Sequence, residues 1–495
     1  MGSLAVSLLA ACGGSSPAGG SGGVSGGAGG HGGGTIASGG AGGAGGRAGG
    51  SGGVAGGGLS GAAGAGGGPA GTGGGHGGGG VSGTGGGAGG APAVGGGAGG
   101  GHAGSAGGMV ATGGSEGGAG GAATGGRGGA AGGSQWVLGY YVGYQINDYP
   151  ISAIDWSALT HIAFAPLLVK ADRTLDFGFS DSNGTGEADA KALAQAAHAH
   201  GVKALLMLGG AGAGVNIAAA ADASHRATFV QTLLAGLATL GYDGIDLDWE
   251  DSVALADLAA LGQALRAAKP DIVLTYPAGA LNANFPTVDP QLVTLAGALD
   301  RFNVQTYYPS TAYAGSGWSS WFSSPLSGMT STTPVAIDDT LQRYAAAGIP
   351  RAKLGMGIAF YAICYTGGIT GPRQATDGTT QAIVGGDNDY PLSRFYAAGG
   401  TFAGASTADM KRDTVAAEPY LSLAAAVNDP GCGAPTRYIT YEDETSIAAK
   451  GAWSKANGYG GIIIWTLGEG YLPAGAAGGR PRNALTQALK AGFLD

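Results

Sequence analysis

Three carboxyl side chains with a spacing suited to acid–base chemistry lie in residues 242–250, which read YDGIDLDWE. In a strand, alternate side chains share a face, so Asp246, Asp248 and Glu250 point one way and Asp243 points the other. Carboxylates a few ångströms apart raise one another's pKa, which predicts a proton shared by Asp246 and Asp248 and a protonated Glu250 near neutral pH. The string therefore predicts Glu250 as a general acid, with Asp248 and Asp246 as catalytic partners. Asp243 is expected to be a structural residue at the strand entry.

Two other interpretations of this string are a metal site of the Asp-x-Asp type and a purely structural acidic strand. Metal binding is disfavoured because no histidine or second acidic cluster accompanies the string, and buried acids without a role are costly. The glycines of residues 210–214, GAGAG, could indicate nucleotide binding, but no ribose-binding acid follows them in the expected context. We therefore expect neither a metal ion nor a cofactor.

Short β-rich runs that alternate with Ala/Leu-rich stretches must position these acids. Eight strands are predicted, at residues 136–142, 160–165, 202–208, 244–249, 272–276, 301–307, 353–360 and 461–466. Helical stretches such as 188–200 and 224–240 lie between them, as in parallel βα units. The prediction is an α/β fold, a (β/α)8 TIM barrel, with the acids at its C-terminal mouth. Residues 361–437 are too many for a loop and predict a small α+β insertion between the seventh and eighth strands.

Composition divides the 495 residues near residue 135. More than half of the 110 glycines precede it, and residues 13–134 contain only three charged side chains, so this stretch cannot bury enough apolar surface to fold. We predict a disordered Gly-rich linker at 13–134 and a catalytic domain, expected to be monomeric, at 135–495. The net charge of −9 belongs almost wholly to the second part, and an acidic surface argues against nucleic acid as a partner.

Residues 1–12 form a short apolar run that ends in LAAC at Cys12, which resembles a bacterial lipobox. The run would then be an export signal, and a lipid on Cys12 would be the only membrane anchor of an exported, cell-surface or extracellular protein. The alternative is an apolar segment without function. If Cys12 is lipidated, the other two cysteines, Cys364 and Cys432, are expected to form a disulfide in an oxidising compartment.

The pattern DxxDxDxE at residues 243–250 resembles the signature of family 18 glycoside hydrolases, the chitinases and their relatives. Other motifs agree with it over nearly all of the predicted catalytic domain. Tyr140 matches the first-strand tyrosine that helps to hold the buried aspartate, and Trp465 matches the tryptophan that forms the floor under the sugar. Tyr307, in the motif that begins at Gln305, matches the tyrosine whose hydroxyl contacts the substrate acetamido group. The resemblance thus assigns Tyr140, Gln305 and Trp465 to substrate binding and Tyr307 to catalysis.

Three positions depart from the family pattern. The third strand usually carries S-x-G-G but here reads MLGG, so Met207 replaces a serine whose hydroxyl helps to satisfy the inner aspartate. Tyr308 stands where an Asp or Asn commonly follows the motif tyrosine, and Pro166 occupies a place that is often Phe. These changes are expected to affect the pH optimum or the subsite preference, while the acid and its partners are retained.

The resemblance implies retaining hydrolysis of chitin, a polymer of β-1,4-linked N-acetylglucosamine, with the substrate acetamido group as nucleophile. Trp318 and Trp321, in the loop after the sixth strand, are predicted to be exposed and to offer further sugar subsites, with ordinary loop packing as the alternative. Two other functions stay open: an inactive chitin-binding lectin on the same barrel, and an endo-β-N-acetylglucosaminidase acting on N-glycans. Retention of Glu250 disfavours the lectin, and the insertion favours a linear polymer.

Overall fold

The computed structural model describes residues 135–282, 285–307, 317–333, 335–376, 381–384, 402, 405, 407–432, 434–472 and 481–495. The predicted signal at 1–12, the lipidation site Cys12, the linker at 13–134 and Tyr308 lie outside the described residues. Within the described ranges, no helix is both long and apolar enough to cross a membrane.

Strands and helices alternate along most of the described chain. The elements before the insertion are β1 (Trp136–Val142), β2 (His161–Val169), β3 (Leu175–Asp176), α1 (Gly186–Ala199), β4 (Lys203–Leu208), α2 (Gly214–Ala221), α3 (Arg226–Leu240), β5 (Gly244–Asp246), α4 (Leu255–Ala268), β6 (Val273–Gly279), α5 (Pro290–Ala298), β7 (Arg301–Gln305), α6 (Ile337–Ala346) and β8 (Leu354–Ala359). Those that follow are β9 (Ala362–Tyr365), β10 (Gln381–Val384), β11 (Met410–Asp413), β12 (Glu418–Val427), β13 (Thr436–Thr440), α7 (Glu444–Asn457), β14 (Gly461–Trp465) and α8 (Ala484–Leu489).

Eight parallel strands close into a barrel. The sheet runs in the order β1-β14-β8-β7-β6-β5-β4-β2, and β1 also pairs with β2, while the short β3 pairs with the end of β2 outside the ring. The register between β2 and β4 shifts between Phe164 and Leu167, because Pro166 has no N–H to give to the ladder. The prediction of a (β/α)8 barrel is confirmed.

The strand that carries the acids is shorter than the sequence predicts. β5 ends at Asp246, whereas the predicted strand continued to residue 249. The Asp248 N–H donates to the Asp246 carbonyl two positions back (3.1 Å), so it does not join a ladder between strands. The segment is still held on both sides, because the Leu247 N–H donates to the Thr275 carbonyl (2.9 Å) and the Gly210 N–H donates to the Asp248 carbonyl (2.7 Å).

Alternation of side chains in this segment separates apolar residues from acids. Ile245, Leu247 and Trp249 are buried in the large apolar cluster that packs the strands against the helices. Asp246 and Asp248, on the opposite parity, are 0% and 2% exposed and lie in the barrel interior. The predicted parity therefore holds although the strand itself is short.

Helix α3 illustrates how the outer layer forms and ends. Its residues Phe229, Leu233 and Leu237 recur at intervals of four, so they share one face and are buried. Gly241 follows the helix with a left-handed φ of +78°, and its N–H donates to the Leu237 carbonyl. Gly241 thereby ends α3 just before the acidic segment at residues 242–250 begins.

Between β8 and α7, the described residues form a five-stranded antiparallel sheet in the order β10-β9-β13-β12-β11. A disulfide joins Cys364 in β9 to Cys432, and their Cα atoms are 5.8 Å apart. Trp321, in the segment after β7, packs against this sheet. Its N–H donates to the Tyr365 hydroxyl oxygen (2.9 Å), and its carbonyl accepts from the Tyr438 hydroxyl (2.8 Å). The insertion is therefore anchored to a loop at the mouth of the barrel.

A buried charged cluster, the lysine cluster, also ties the insertion to the barrel. It consists of Lys450 in α7, Glu418 in β12, Glu442, Ser323 and Ser324, all of them buried. Lys450 pairs closely with Glu442 and, at 3.8 Å, with Glu418, while the two serine hydroxyls donate to the glutamates. Burial raises the pKa of Glu442 to about 7, although the charge of Lys450 acts in the opposite direction. One lysine thus supplies the positive charge next to two buried carboxyl groups.

Candidate active site

Asp246 is the innermost acid and is held by two hydroxyl groups. The Tyr140 hydroxyl in β1 donates to its Oδ2 (2.7 Å), and the Thr275 hydroxyl in β6 donates to its Oδ1. Burial raises the pKa of Asp246 to about 6, while the two hydroxyl donors favour the charged form and limit the rise. The negative charge of Glu250 acts in the same direction as burial. Asp246 therefore titrates in the mildly acidic range.

Asp248 lies between Asp246 and Glu250 in the acidic segment. Its carboxyl is hydrogen-bonded to that of Glu250, which requires a proton on one of the two groups. Burial, followed by the charges of Glu250 and Asp246, raises the pKa of Asp248 well above its usual range. Among the described residues, its Oδ1 has no hydrogen-bond partner. The group is thus placed to share a proton and to accept a hydrogen bond from a ligand.

Two glycines let the loop after β4 approach the acidic segment. Gly209 and Gly210 have φ angles of +111° and +99°, a conformation that side chains rarely adopt. A Cβ atom at Gly209 would lie 2.3 Å from the carbonyl oxygen of Asp248. The close approach allows the Gly210 N–H to donate to that same oxygen. The two glycines therefore hold the backbone of Asp248 in position at the mouth of the barrel.

Glu250 is the one member of the three acids that keeps a partly exposed surface. Gln305, at the end of β7, donates from Nε2 to its Oε1 (2.9 Å). Burial raises the pKa of Glu250, although the hydrogen bonds with Gln305 and Asp248 oppose the rise. An accessible, oriented carboxyl whose pKa is raised has the properties of a general acid. Gln305, predicted to bind substrate, contacts the acid, and its contact with substrate stays a prediction.

Aromatic side chains form the walls around the acids. Tyr307 is buried edge-on to Tyr361, with ring centroids 6.3 Å apart, and Gly357 leaves room for it, since a Cβ there would lie 2.7 Å from the ring. Burial and the neighbouring acids raise the pKa of Tyr307, so its hydroxyl remains a donor. Trp465, at the end of β14, is partly exposed and packs against Tyr140 with centroids 5.2 Å apart. Of these four rings, Trp465 is the one with partly exposed apolar surface of the kind on which sugars stack.

The prediction that Trp318 and Trp321 are exposed is wrong. Their side chains are 4% and 0% exposed. Trp321 donates from Nε1 to the Val335 carbonyl (2.8 Å), and the Arg373 guanidinium lies 4.8 Å from its ring centroid. The Thr376 hydroxyl donates to the Trp318 carbonyl (2.9 Å). The insertion and its flanking segments cover this loop, so neither ring has a face open to a sugar.

Asp243 lies at the opposite end of β5 from the mouth. It accepts hydrogen bonds from the Lys203 ammonium (2.8 Å) and the Ala204 N–H (2.9 Å), and His198 contacts it at 2.8 Å. These partners belong to β4 and to the last turn of α1. Asp243 therefore ties α1 and β4 to the start of β5.

Thr275 belongs to the site although its own segment gives little sign of it. It is a buried polar residue in the strand VLTYPAG, and a buried hydroxyl requires a partner. The signal that the sequence offers is a threonine inside a predicted strand of mostly apolar residues. The pairing of β5 with β6 places Thr275 opposite Asp246.

The acids do not form a set of metal ligands. Within the described residues, no group of three or more His, Cys, Asp and Glu side chains is arranged to hold a metal ion. Both oxygens of Asp246 already accept hydrogen bonds from hydroxyl groups.

A partly exposed carboxyl with a raised pKa, next to two buried ones at the mouth of a (β/α)8 barrel, defines an enzyme of the acid–base type. Residues 137–470 match the glycosyl hydrolases family 18. The match covers more than half of the chain, and the protein belongs to that family.

Two relatives of known name align with this domain. Chitinase 1 of Aphanocladium album is 26% identical over 269 residues, which cover 50% of this chain and 56% of that protein. Chitinase A1 of Niallia circulans is 26% identical over 280 residues, which cover 50% of this chain and 38% of that protein. The chain thus spans about half of the length of these relatives, or less.

A solved structure shares the fold. The crystal structure of Ostrinia furnacalis Group IV chitinase in complex with allosamidin superposes with a TM-score of 0.57 and 19% sequence identity. The superposition covers 72% of this chain and 98% of that chain.

Proposed function

We propose that this protein hydrolyses chitin, the polymer of β-1,4-linked N-acetylglucosamine, with retention of configuration at the anomeric carbon. The observation that carries the proposal is the arrangement of the acids: Glu250 is partly exposed, and its neighbour Asp248 is buried and hydrogen-bonded to it. The aligned relatives from Aphanocladium album and Niallia circulans both bear the name chitinase, which supports the same substrate class.

In the first step, Glu250 gives its proton to the glycosidic oxygen as the bond to the anomeric carbon breaks. Asp248 accepts a hydrogen bond from the acetamido N–H, for which its Oδ1 has a lone pair available. Tyr307 donates to the acetamido carbonyl. The carbonyl oxygen, held in this orientation, attacks the anomeric carbon and forms an oxazolinium ion.

In the second step, the carboxylate of Glu250 takes a proton from a water molecule. The resulting hydroxide attacks the anomeric carbon, opens the oxazolinium ring and regenerates the acetamido group. Two inversions at the same carbon give net retention, and Glu250 is again protonated.

The geometry favours the acetamido group over an enzyme carboxylate as nucleophile. A carboxylate nucleophile and a general acid must flank the bond from opposite sides, about 5 Å apart. Asp248 instead lies two positions from Glu250 in the same segment and is hydrogen-bonded to it. It is therefore placed to orient a substrate group beside the acid, and chitin carries such a group at every sugar.

Glu250→Gln tests the proposed acid. The substitution keeps the shape of the side chain and removes the transferable proton, so kcat on chitin oligosaccharides should fall by about 10²-fold or more, while binding measured by calorimetry is retained. Glu187→Gln is the matched control, because it makes the same change in an exposed ion pair of α1. Appreciable turnover by Glu250→Gln would contradict the assignment.

A substrate panel and the first product test the substrate and the stereochemistry. The purified protein should release N-acetylglucosamine oligomers from colloidal chitin, and NMR should detect the β-anomer before mutarotation. An α-anomer as first product would contradict retention. Release of N-glycans from glycoproteins without chitin turnover, or binding without turnover, would replace the proposal with one of its two rivals.

We also propose that the protein is exported and carries a lipid on Cys12. The disulfide between Cys364 and Cys432 supports export, because such bonds persist in oxidising compartments. Metabolic labelling with a radioactive fatty acid should mark the wild-type protein and should fail to mark Cys12→Ser.

A further inference from the structure

The turn that follows Glu250 is fastened to the loop after β4. That loop, residues 209–214 with the sequence GGAGAG, is here named the glycine loop. Its Gly212 and Gly214 N–H groups both donate to Oδ1 of Asp251, at 2.9 and 3.1 Å. One carboxyl oxygen thus accepts two backbone donors, and Asp251 joins the turn to the glycine loop.

The backbones at this junction are in close contact. A Cβ atom at Gly214 would lie 1.7 Å from the Asp251 carbonyl oxygen, so no side chain fits there. The same carbonyl accepts a hydrogen bond from Nε1 of Trp249 (2.9 Å), whose ring is buried in the large apolar cluster. Ser252, the next residue, has a φ of +52°, which is uncommon for residues other than glycine. A backbone of this kind persists only where its surroundings hold it, and the contacts of Asp251 do so.

The glycine loop also holds the chain on the other side of Glu250. The Gly210 N–H donates to the Asp248 carbonyl (2.7 Å), two residues before the acid. Asp251 is fastened one residue after it. Glu250 therefore lies between two fixed positions of the backbone, and these limit the directions that its side chain can take.

We propose that Asp251 is a positioning residue for the general acid: its carboxylate fastens the turn after Glu250 to the glycine loop and thereby fixes the direction of the Glu250 side chain. The inference rests on the proposed function, in which Glu250 protonates the glycosidic oxygen. Asp251 acts through Glu250 and transfers no proton itself. The glycine motif, which could indicate a nucleotide site, serves on this account to bring backbone N–H groups to the acidic segment.

The charge of Asp251 has a second effect on the acid. Burial is the main cause of the raised pKa of Glu250, and the negative charge of Asp251 adds to it. Within the described ranges, neither residue belongs to an ion pair. The titratable groups that interact with Glu250 come from its own segment, from β6 and from the end of β7: Asp246, Asp248, Asp251, Tyr276 and Tyr307. Loss of the Asp251 charge therefore lowers the pKa of Glu250, and the alkaline limb of activity moves to lower pH.

Asp251→Asn separates the charge from the hydrogen bonds, because the amide oxygen still accepts both N–H groups. On a natural N-acetylglucosamine oligomer, kcat at the optimum should stay within about twofold of the wild type. The alkaline limb of kcat/KM should move down by roughly half a pH unit, so activity at a pH on that limb falls about threefold. The shift is small because Asp251 is partly exposed and water screens its charge.

Asp251→Ala removes the charge and the acceptor together. Here kcat at the optimum should fall about tenfold, because the acid loses its orientation, while KM changes less than about twofold. Recovery of the rate in Asp251→Asn, with the limb still displaced, is a pattern that loss of stability alone does not produce. Thermal unfolding of both variants measures how far the fold is affected.

Asp222→Asn is the matched control. Oδ1 of Asp222 accepts the N–H groups of Ser224 and His225 (2.8 and 3.0 Å) in the turn between α2 and α3. The substitution makes the same change of net charge at a carboxyl that holds a different turn. It should leave kcat and the alkaline limb unchanged, and an equal displacement of the limb would overturn the inference.

A titration followed by carbon-13 NMR observes Glu250 without catalysis. The chain contains seven glutamates, and the Glu250 carboxyl signal is identified by its loss in Glu250→Gln. The midpoint of this signal should be roughly half a pH unit lower in Asp251→Asn than in the wild type.

The two readouts distinguish failure of the inference from failure of the proposed function. An unmoved NMR midpoint in Asp251→Asn, or a folded Asp251→Ala with the kcat and limb of the wild type, would overturn the inference. If the wild type turns over no N-acetylglucosamine polymer while the midpoint moves as expected, the proposed function fails and the effect of Asp251 on Glu250 stands.

Discussion

Replacing Gln305 by methionine should move the alkaline limb of the activity profile to higher pH. The substitution keeps the length of the side chain and removes the 2.9 Å hydrogen bond from Nε2 to Oε1 of Glu250. That bond favours the charged carboxylate and so lowers the pKa of Glu250, which means that its loss raises the pKa. Because Glu250 must be protonated to act as the acid, activity should persist to higher pH.

The size of the shift follows from the exposure of the acid. A hydrogen bond to a charged group contributes about 1.5 to 3 kcal/mol, and one pKa unit corresponds to about 1.4 kcal/mol. Glu250 is partly exposed, so water replaces part of the lost interaction and the lower end of the range applies. We expect a shift of about 1 unit. The freed carboxyl is also less well oriented, so kcat at the optimum should fall several-fold.

The assay is kcat/KM as a function of pH, which reports the pKa of the acid in the free enzyme. The substrate should be a natural N-acetylglucosamine oligomer followed by chromatography, because an aryl leaving group needs little protonation and would hide the effect. Gln487→Met, on the exposed side of α8, is the matched control. An alkaline limb that stays in place or moves to lower pH would refute the reasoning.

Four further predictions concern stability, each measured by chemical denaturation. Gly209→Ala should lower the unfolding free energy by about 2 to 4 kcal/mol and should reduce kcat, because its φ is +111° and a Cβ would lie 2.3 Å from a carbonyl oxygen. Lys450→Met should cost about 3 to 5 kcal/mol, since it leaves buried carboxyls without their cation. In the wild type, the pKa of Glu442 is about 7 when folded against an ordinary 4.5, so the unfolding free energy should fall as pH rises through that window. Replacing Cys364 and Cys432 with alanine should cost about 2 to 5 kcal/mol without a shift of the pH profile; a shifted profile would contradict a purely structural role.

Much of the architecture could be predicted because it depends on local periodicity. The alternation of strands and helices gave the eight-stranded barrel, and side-chain parity separated Asp246 and Asp248 from the outward-facing Trp249. The motif spacing predicts Glu250 as the acid, and in the structure this side chain is partly exposed. None of these inferences requires knowledge of which distant segments meet.

The exposure of the tryptophans could not be predicted in the same way. Trp318 and Trp321 lie in a turn-rich, polar segment, which indicates an exposed loop. The structure buries both because the insertion, far along the chain, folds over them. Burial of a loop residue depends on which other segment of the chain covers it. The sequence of the loop does not indicate which segment that is.

The sequence by itself determined the acidic string, its parity and the barrel that presents it, because these follow from residue type and spacing within single elements. The tertiary structure decided what each acid touches. Thr275 donates to Asp246 and Gln305 donates to Glu250 because closure of the barrel brings β6 and β7 beside the acidic segment. Those contacts govern the protonation of the acids, since pKa values depend on burial and on partners that are distant in sequence.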